Sequence, residues 1–199
     1  MSDAVLDAAA ALRSGDLVVM PTDTVYGIAA RPDRPEATAR LFAAKGRPRD
    51  LELPVLVPDL ATARAVARMD ARAERLAARF WPGALTIVAP RGTVSEGWDL
   101  GGDPTTVGLR VPRHPLALAV LALAGPLAVT SANRSGEPTP IDGEGVVAVF
   151  ADAVAVYLLD EEPLAGAAST VVDLAHGTAR ILRVGALDPD EVLAVLRPG

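Results

Sequence analysis

Cysteine is absent from this 199-residue chain. That excludes disulfides, a thiol nucleophile and every zinc or iron–sulfur site built on thiolates. Histidine is scarce: His114 and His176 are the two present, far apart in sequence. A multi-histidine metal site is disfavoured, and a Ser-His-Asp hydrolase would have only these two bases to choose from. Aromatic residues make up 4 %, so aliphatic side chains must fill the core. Long apolar runs are missing too. The longest, Pro115 to Val129, is broken at Gly125-Pro126 and falls short of the roughly 20 residues a membrane span needs. Met1 to Gly15 carries Asp3 and Asp7 and no basic cluster, so it does not read as a signal peptide. The expectation is a soluble cytoplasmic protein without a membrane partner. Positive charge is in deficit, with a net charge of −6. A protein that coats nucleic acid has the opposite balance, although a local basic cleft is compatible with any net charge.

Three residue types are rare in a telling way. There is no glutamine, one asparagine (Asn133) and one lysine (Lys45) among nineteen basic residues. The bias toward Arg and Ala resembles the product of a GC-rich genome. Under such drift a lone Lys or Asn is a candidate for chemical necessity.

What is present is an alternation of helical and strand patterns over one domain, residues 1–199. Helices are expected at Asp3 to Ser14, closed by Gly15, and at Pro35 to Lys45, closed by Gly46. Asp59 and Asp70 are read as caps of two more, the second ending near Phe80. Further helices are expected at Pro115 to Ala124, near 143–150 and at Asp188 to Leu196. Strands are expected at Leu17 to Met20, Leu53 to Val57, Leu85 to Val88, Thr106 to Val111, Leu127 to Thr130, Val154 to Leu159, Thr170 to Leu174 and Ala179 to Arg183. The last three strands have no helix between them, so part of the sheet should be antiparallel. The fold class is α/β with a twisted, mixed parallel and antiparallel sheet flanked by helices.

The common nucleotide signatures, G-x-x-x-x-G-K-[ST] and G-x-G-x-x-G, are missing. Polar clusters instead stand at strand ends and in loops, where α/β folds place their sites. Pro21 to Gly27 brings Thr22, Asp23, Thr24 and Tyr26 together, and a plain turn would explain the Pro, Asp and Gly. Lys45, Arg47 and Arg49 end a helix. Cations suit that end through the dipole by about 0.3–1 kcal/mol, and they would equally suit a phosphate or carboxylate. Lys45 is expected at a solvent-facing helix end, replaceable without loss of the fold. Ser131, Asn133 and Arg134 follow a strand directly. Ser169, Thr170 and Asp173 stand with Arg180 and Arg183 in what could be an ordinary charged hairpin. Arg110 sits inside an apolar strand and needs a partner, either a structural carboxylate or an anionic ligand. His114 is most simply the residue that opens a helix. Together these groups suit binding and orienting anions, with catalysis by proximity and charge.

From about Gly15 to Leu187 the sequence resembles the YrdC-like threonylcarbamoyl-AMP synthase family. The motifs are Pro21-Thr22-Asp23-Thr24-Val25-Tyr26-Gly27, Ala44-Lys45-Gly46-Arg47-Pro48, Phe80-Trp81-Pro82-Gly83, Val107 to Pro112 with His114-Pro115, Ser131-Ala132-Asn133 with Ser135-Gly136, Ser169 to Asp173 and Ile181-Leu182-Arg183. Each alone is weak; all of them in order are specific. The resemblance implies a basic concave cleft and a synthase that combines L-threonine, bicarbonate and ATP, with Mg²⁺, into threonylcarbamoyl-AMP and pyrophosphate. A separate transfer complex would carry the threonylcarbamoyl group to tRNA beside the anticodon. It further implies that Lys45 and Arg47 meet ATP phosphates as the catalytic pair. Thr106, Ser131, Asn133 and Arg183 would serve the nucleotide, and Thr22, Thr24, Tyr26, Arg110 and Ser169 the threonine. No metal ligand from the protein is implied.

The chain departs from the family pattern in two places. Where many members have Asn-Pro-Leu and then a His, it reads Leu51 to Val57, with apolar Leu51 and Leu56. Where they have Arg-Pro-Gly it reads Arg183-Val184-Gly185. Ending at Gly199, it matches the short form without the extra C-terminal domain. The alternative reading is a non-catalytic paralogue that binds nucleotide or RNA through the same cleft. Carbamoyl chemistry like that of hydrogenase maturation proteins is disfavoured, since their accompanying zinc modules need cysteine.

Overall fold

The computed structural model describes residues 2–164 and 166–197; the expected domain limits, Met1 and Gly199, lie outside them. In chain order the elements are α1 (Asp3–Ser14), β1 (Val18–Met20), β2 (Gly27–Ala30), α2 (Pro35–Lys45), β3 (Val55–Leu56), α3 (Leu60–Val66), α4 (Ala71–Phe80), β4 (Leu85–Pro90), β5 (Thr106–Arg110), α5 (Pro115–Ala124), β6 (Leu127–Ser131), α6 (Gly143–Phe150), β7 (Val156–Tyr157), β8 (Thr170–Asp173), β9 (Arg180–Arg183) and α7 (Pro189–Ala194).

The helix boundaries follow from local chemistry. Asp59 accepts a hydrogen bond from the Thr62 amide, and Asp70 accepts from Arg72 and Ala73. Each satisfies amides that the first helical turn cannot pair. Gly15 and Gly46 close α1 and α2 with φ of 91° and 62°, a conformation that costs other residues a Cβ clash.

All nine strands among the described residues join one sheet in the order β7-β1-β2-β6-β3-β5-β4-β8-β9. The pairs β1/β7, β3/β5 and β4/β8 are parallel and the other five antiparallel. The last three expected strands do not form one unit. β8 and β9 make the antiparallel hairpin, whereas β7 runs to the opposite edge beside β1. β2 is a strand that the sequence pattern does not announce: Gly-Ile-Ala-Ala has only one good strand former. Its place comes from pairing on both sides, with β1 and β6. Gly27 is required at that close approach, because a Cβ there would lie 2.6 Å from Val129 Cγ1.

Side-chain alternation then sorts the sheet into two faces. Val19, Ile28, Val55 and Leu109 turn to one face, where they pack with Leu41 and Phe42 of α2 and Val66 of α3. Leu85, Ile87 and Val172 extend this face under α4 and α7. Val18, Met20, Ala29, Leu56 and Val129 turn to the other face, under α1 and α5. Across β5, β4 and β8 that second face carries Gly108, Arg110, Thr86, Val88 and Val171, and these residues line a cleft.

Candidate functional site

The cleft encloses about 460 Å³. Its floor is low because Gly108 has no side chain, with the nearest atom to a Cβ there being Thr86 Cγ2 at 3.3 Å. Of the residues singled out from sequence, Thr22, Thr24, Arg47, Arg110, Ser131, Ser169 and Arg183 line it. They arrive from six separate stretches of chain.

Arg110 projects from β5, with its side chain only 7 % exposed. Its Nε donates to the Gly83 carbonyl at 2.9 Å, Nη1 to Thr24 Oγ1 at 2.9 Å and Nη2 to Asp23 Oδ1 at 2.6 Å. The partner demanded by a buried guanidinium is thus a structural carboxylate. Asp23 is itself held by the Arg113 amide at 2.7 Å. Burial lowers the Arg110 pKa, and Asp23 acts against that. The hydroxyls form a directed chain. Thr22 Oγ1 donates to the Val25 carbonyl at 2.7 Å, so in the 2.9 Å contact of the two hydroxyls Thr24 donates to Thr22. Thr24 therefore accepts from Arg110 and is oriented by it.

Across the cleft Ser169 Oγ meets Thr86 Oγ1 at 2.9 Å and accepts from Arg183 Nη2 at 2.9 Å. Arg183 Nε holds the Ser169 carbonyl at 3.0 Å. Arg47 donates from Nε to the Leu51 carbonyl at 3.1 Å and from Nη2 to the Glu52 carbonyl at 2.9 Å. Burial lowers the pKa of Arg47, and the charge of Arg183 lowers it further. Arg110 also feels Arg183. Arg183 thus disfavours the charge of both Arg47 and Arg110, which line the same cleft. Asp50 and Glu52 line it as well.

Four expected site residues are placed differently. Lys45 is not at a solvent-facing helix end; it is 2 % exposed. Its Nζ donates to the Ser131 carbonyl, to the Asn133 carbonyl at 2.7 Å and to Asn133 Oδ1 at 2.9 Å. All three ammonium hydrogens are directed at the loop after β6. The reason is tertiary: the C-terminus of α2 docks against that loop, where Ser135 N donates to the Lys45 carbonyl at 2.9 Å. Burial first, and then Arg47, push the Lys45 pKa down to about 8. Asn133 is 8 % exposed and braces the same loop, taking Ser131 Oγ at 2.6 Å and donating to the Glu137 carbonyl. Tyr26 is fully buried in the cluster on the opposite face of the sheet. Its hydroxyl accepts from Asp160 N at 2.9 Å and its carbonyl accepts from Ala132 N at 2.8 Å. Thr106 is on the same face as Gly108 and Arg110 but at the far end of β5, and its carbonyl holds Arg91 at 2.7 Å.

The remaining charged residues of the sequence clusters, and His114, fall outside the cleft lining. His114 opens α5 as expected, and its Nε2 meets Asp160 Oδ2 at 2.8 Å. Asp173 is bound by His176 and Arg180. Leu51 and Leu56, the apolar departures, both line the cleft. Sequence reasoning passed over Glu52, Asp50, Thr86 and Gly108. Two carried a signal: Thr86 is a lone hydroxyl in an apolar strand, and Gly108 stands two residues before Arg110, on its face.

Comparison with known proteins follows the same outline. The Sua5–YciO–YrdC family model, described as telomere recombination, matches residues 10–185. A Mycobacterium tuberculosis protein is 44 % identical over 196 residues, 98 % of this chain and 90 % of its own. A threonylcarbamoyl-AMP synthase of Chromohalobacter salexigens is 38 % identical over 180 residues, 88 % of this chain and 95 % of its own. Among solved structures, P. abyssi Sua5 complexed with L-threonine superimposes with a TM-score of 0.91 at 37 % identity. The match covers 96 % of this chain and 57 % of that one.

Proposed function

The chain belongs to the Sua5–YciO–YrdC family, and on that premise we propose that it is a threonylcarbamoyl-AMP synthase, a nucleotidyltransferase acting on L-threonine, bicarbonate and ATP. The observation that supports this most is the convergence of Arg110, Arg47 and Arg183 on one cleft with the hydroxyls of Thr24, Ser131 and Ser169. Such a set receives a carboxylate at one end and a phosphate chain at the other. Bound L-threonine in a relative of the same fold supports the amino-acid end.

In this scheme Arg110 faces the threonine carboxylate, with Thr22, Thr24 and Ser169 beside it. Threonine's ammonium and bicarbonate give the carbamate, one water and one proton. A carbamate oxygen then attacks the α-phosphorus and pyrophosphate leaves. Arg47 and Arg183 offset charge on the phosphates, and Mg²⁺ enters with ATP as part of that substrate. Ser131 is on the nucleotide side, with Thr106 at its far end. Lys45, Asn133 and Tyr26 shape the loop that presents Ser131. Among the described residues no helix is long and apolar enough to cross a membrane, and the proposed setting is the cytoplasm. Transfer of the product to tRNA by a separate complex belongs to the same proposal.

The test is pyrophosphate release from ATP and bicarbonate, with and without L-threonine and with serine as control. Threonine-dependent release is the expected result. ATP binding without release would instead identify a binding protein using the same cleft.

A further inference from the structure

The adenylation scheme leaves one buried carboxyl in the cleft without a task. Glu52 lines the cleft, yet its Oε1 is buried without a hydrogen-bond partner. The turn at 101–103 walls one side of it: a Cβ on Gly102 would lie 2.7 Å from Glu52 Cβ. Arg91, just past β4, and Thr106 of β5 face it; from the turn, Asp103 does. Arg91 spends its Nε and Nη1 on the carbonyls of Thr106, Ser95 and Trp98, not on the carboxyl. On its own loop stand Asp50 and Arg47, and Arg47 is anchored on the Glu52 carbonyl at 2.9 Å. Lys45 lies behind, committed to the loop after β6.

A phosphate chain held by Arg47 enters the cleft that Glu52 also lines, and the Glu52 carboxyl there has Thr106 beside it and its Oε1 unpaired. As a carboxylate, Glu52 would repel it; as a neutral acid it has one O–H to give. Resting on the reading of the cleft as an ATP site, we propose that Glu52 binds one proton together with ATP and donates its O–H to an oxygen of the bound phosphate chain. The proton comes from solvent and forms the carboxyl O–H; no other covalent bond changes.

The protonation state of the empty cleft sets the size of the effect. Burial pushes the Glu52 carboxyl up to about 7, with Arg91 and the Thr106 hydroxyl acting against that shift and Asp103 with it. At pH 8 the empty site is mostly ionised, so binding takes up roughly 0.9 of a proton. At pH 6 it is mostly protonated and takes up about 0.1. Affinity for ATP in consequence falls as pH rises above 7, approaching about tenfold per pH unit.

Titration calorimetry of MgATP into the full chain, in two buffers of different ionisation heat, measures this uptake directly. At pH 8 the wild type should take up close to one proton more than Glu52→Gln. That variant, a fixed neutral mimic, should bind at least as tightly and with a flatter pH dependence. Equal proton uptake by the two, or proton release as expected of a carboxyl that ligates Mg²⁺, would overturn the proposal. Should the variant fail to fold, the wild-type profile decides: uptake centred near pH 7 supports the proposal and uptake constant from pH 6 to 8 overturns it. ATP that does not bind the wild type would overturn the ATP-site reading itself, an outcome distinct from binding without uptake.

Discussion

Lys45 and Asn133, 88 residues apart in sequence, are joined by two hydrogen bonds from one ammonium, at 2.7 Å to the backbone carbonyl and 2.9 Å to the side-chain oxygen. The only lysine and the only asparagine of the chain thus form one device. It locks the end of α2 to the loop after β6 and so fixes where Ser131 meets the cleft. Lys45 acts on the site through that loop, with Arg47 left as the cleft-facing cation of the pair.

Lys45→Met should therefore weaken the fold as well as the activity. The substitution keeps the apolar stem and strands the Asn133 carbonyl, at a cost of about 1–3 kcal/mol, while Asn133 Oδ1 keeps Ser131 Oγ and the Ser131 carbonyl keeps Asn133 N. Urea unfolding should show the loss, and amide exchange at residues 131–137 should quicken. Unchanged stability with lost activity would return Lys45 to a purely substrate-facing role.

Arg110→Ala should destabilise by about 3–5 kcal/mol, because it strands the Asp23 carboxylate in a half-buried site. Removing Asp23 as well should recover part of that loss, which a double-mutant cycle in urea would measure. Arg110→Lys keeps the charge but cannot span Gly83, Thr24 and Asp23 together. It should raise the KM for threonine more than that for ATP. Equal effects on both would place Arg110 in the scaffold alone.

Gly108→Val should fill the cleft floor. Its added carbons point toward Thr86 Cγ2, 3.3 Å from the Cβ position, and into the cleft rather than the core. Stability should fall by about 1–3 kcal/mol, while substrate affinity should fall about tenfold or more, equivalent to about 1.4 kcal/mol. Calorimetric binding of ATP beside a thermal melt separates the two. Undiminished binding would move the site away from this floor.

The helices were legible from local signals, since caps and stops are local chemistry. Asp59, Asp70, Gly15 and Gly46 act on amides and carbonyls within four residues of themselves. Strand ends were less so: Leu53 to Val57 shortens to Val55–Leu56, because pairing partners, not the apolar run, set its length. β2 was invisible, since Gly27 and two alanines earn their place only between β1 and β6. Thr22, Thr24, Arg47, Arg110, Ser131, Ser169 and Arg183, singled out from polar clusters in the sequence, line one cleft. The alternation of β5 was legible too, and it puts Gly108 beside Arg110 on one face.

Sequence by itself determined which elements form, which polar groups must find partners and which family the chain resembles. Only the tertiary structure decided who those partners are. Arg110 needed a carboxylate, and folding supplied Asp23 from a turn 87 residues away. Lys45 looked exposed on its helix and is buried, because a loop 88 residues away closes over it. Tyr26 sits among the site motifs in sequence, yet one step of β alternation turns it to the opposite face. Burial and charge pairing depend on contacts between distant segments, and Glu52 owes its unusual carboxyl entirely to such contacts.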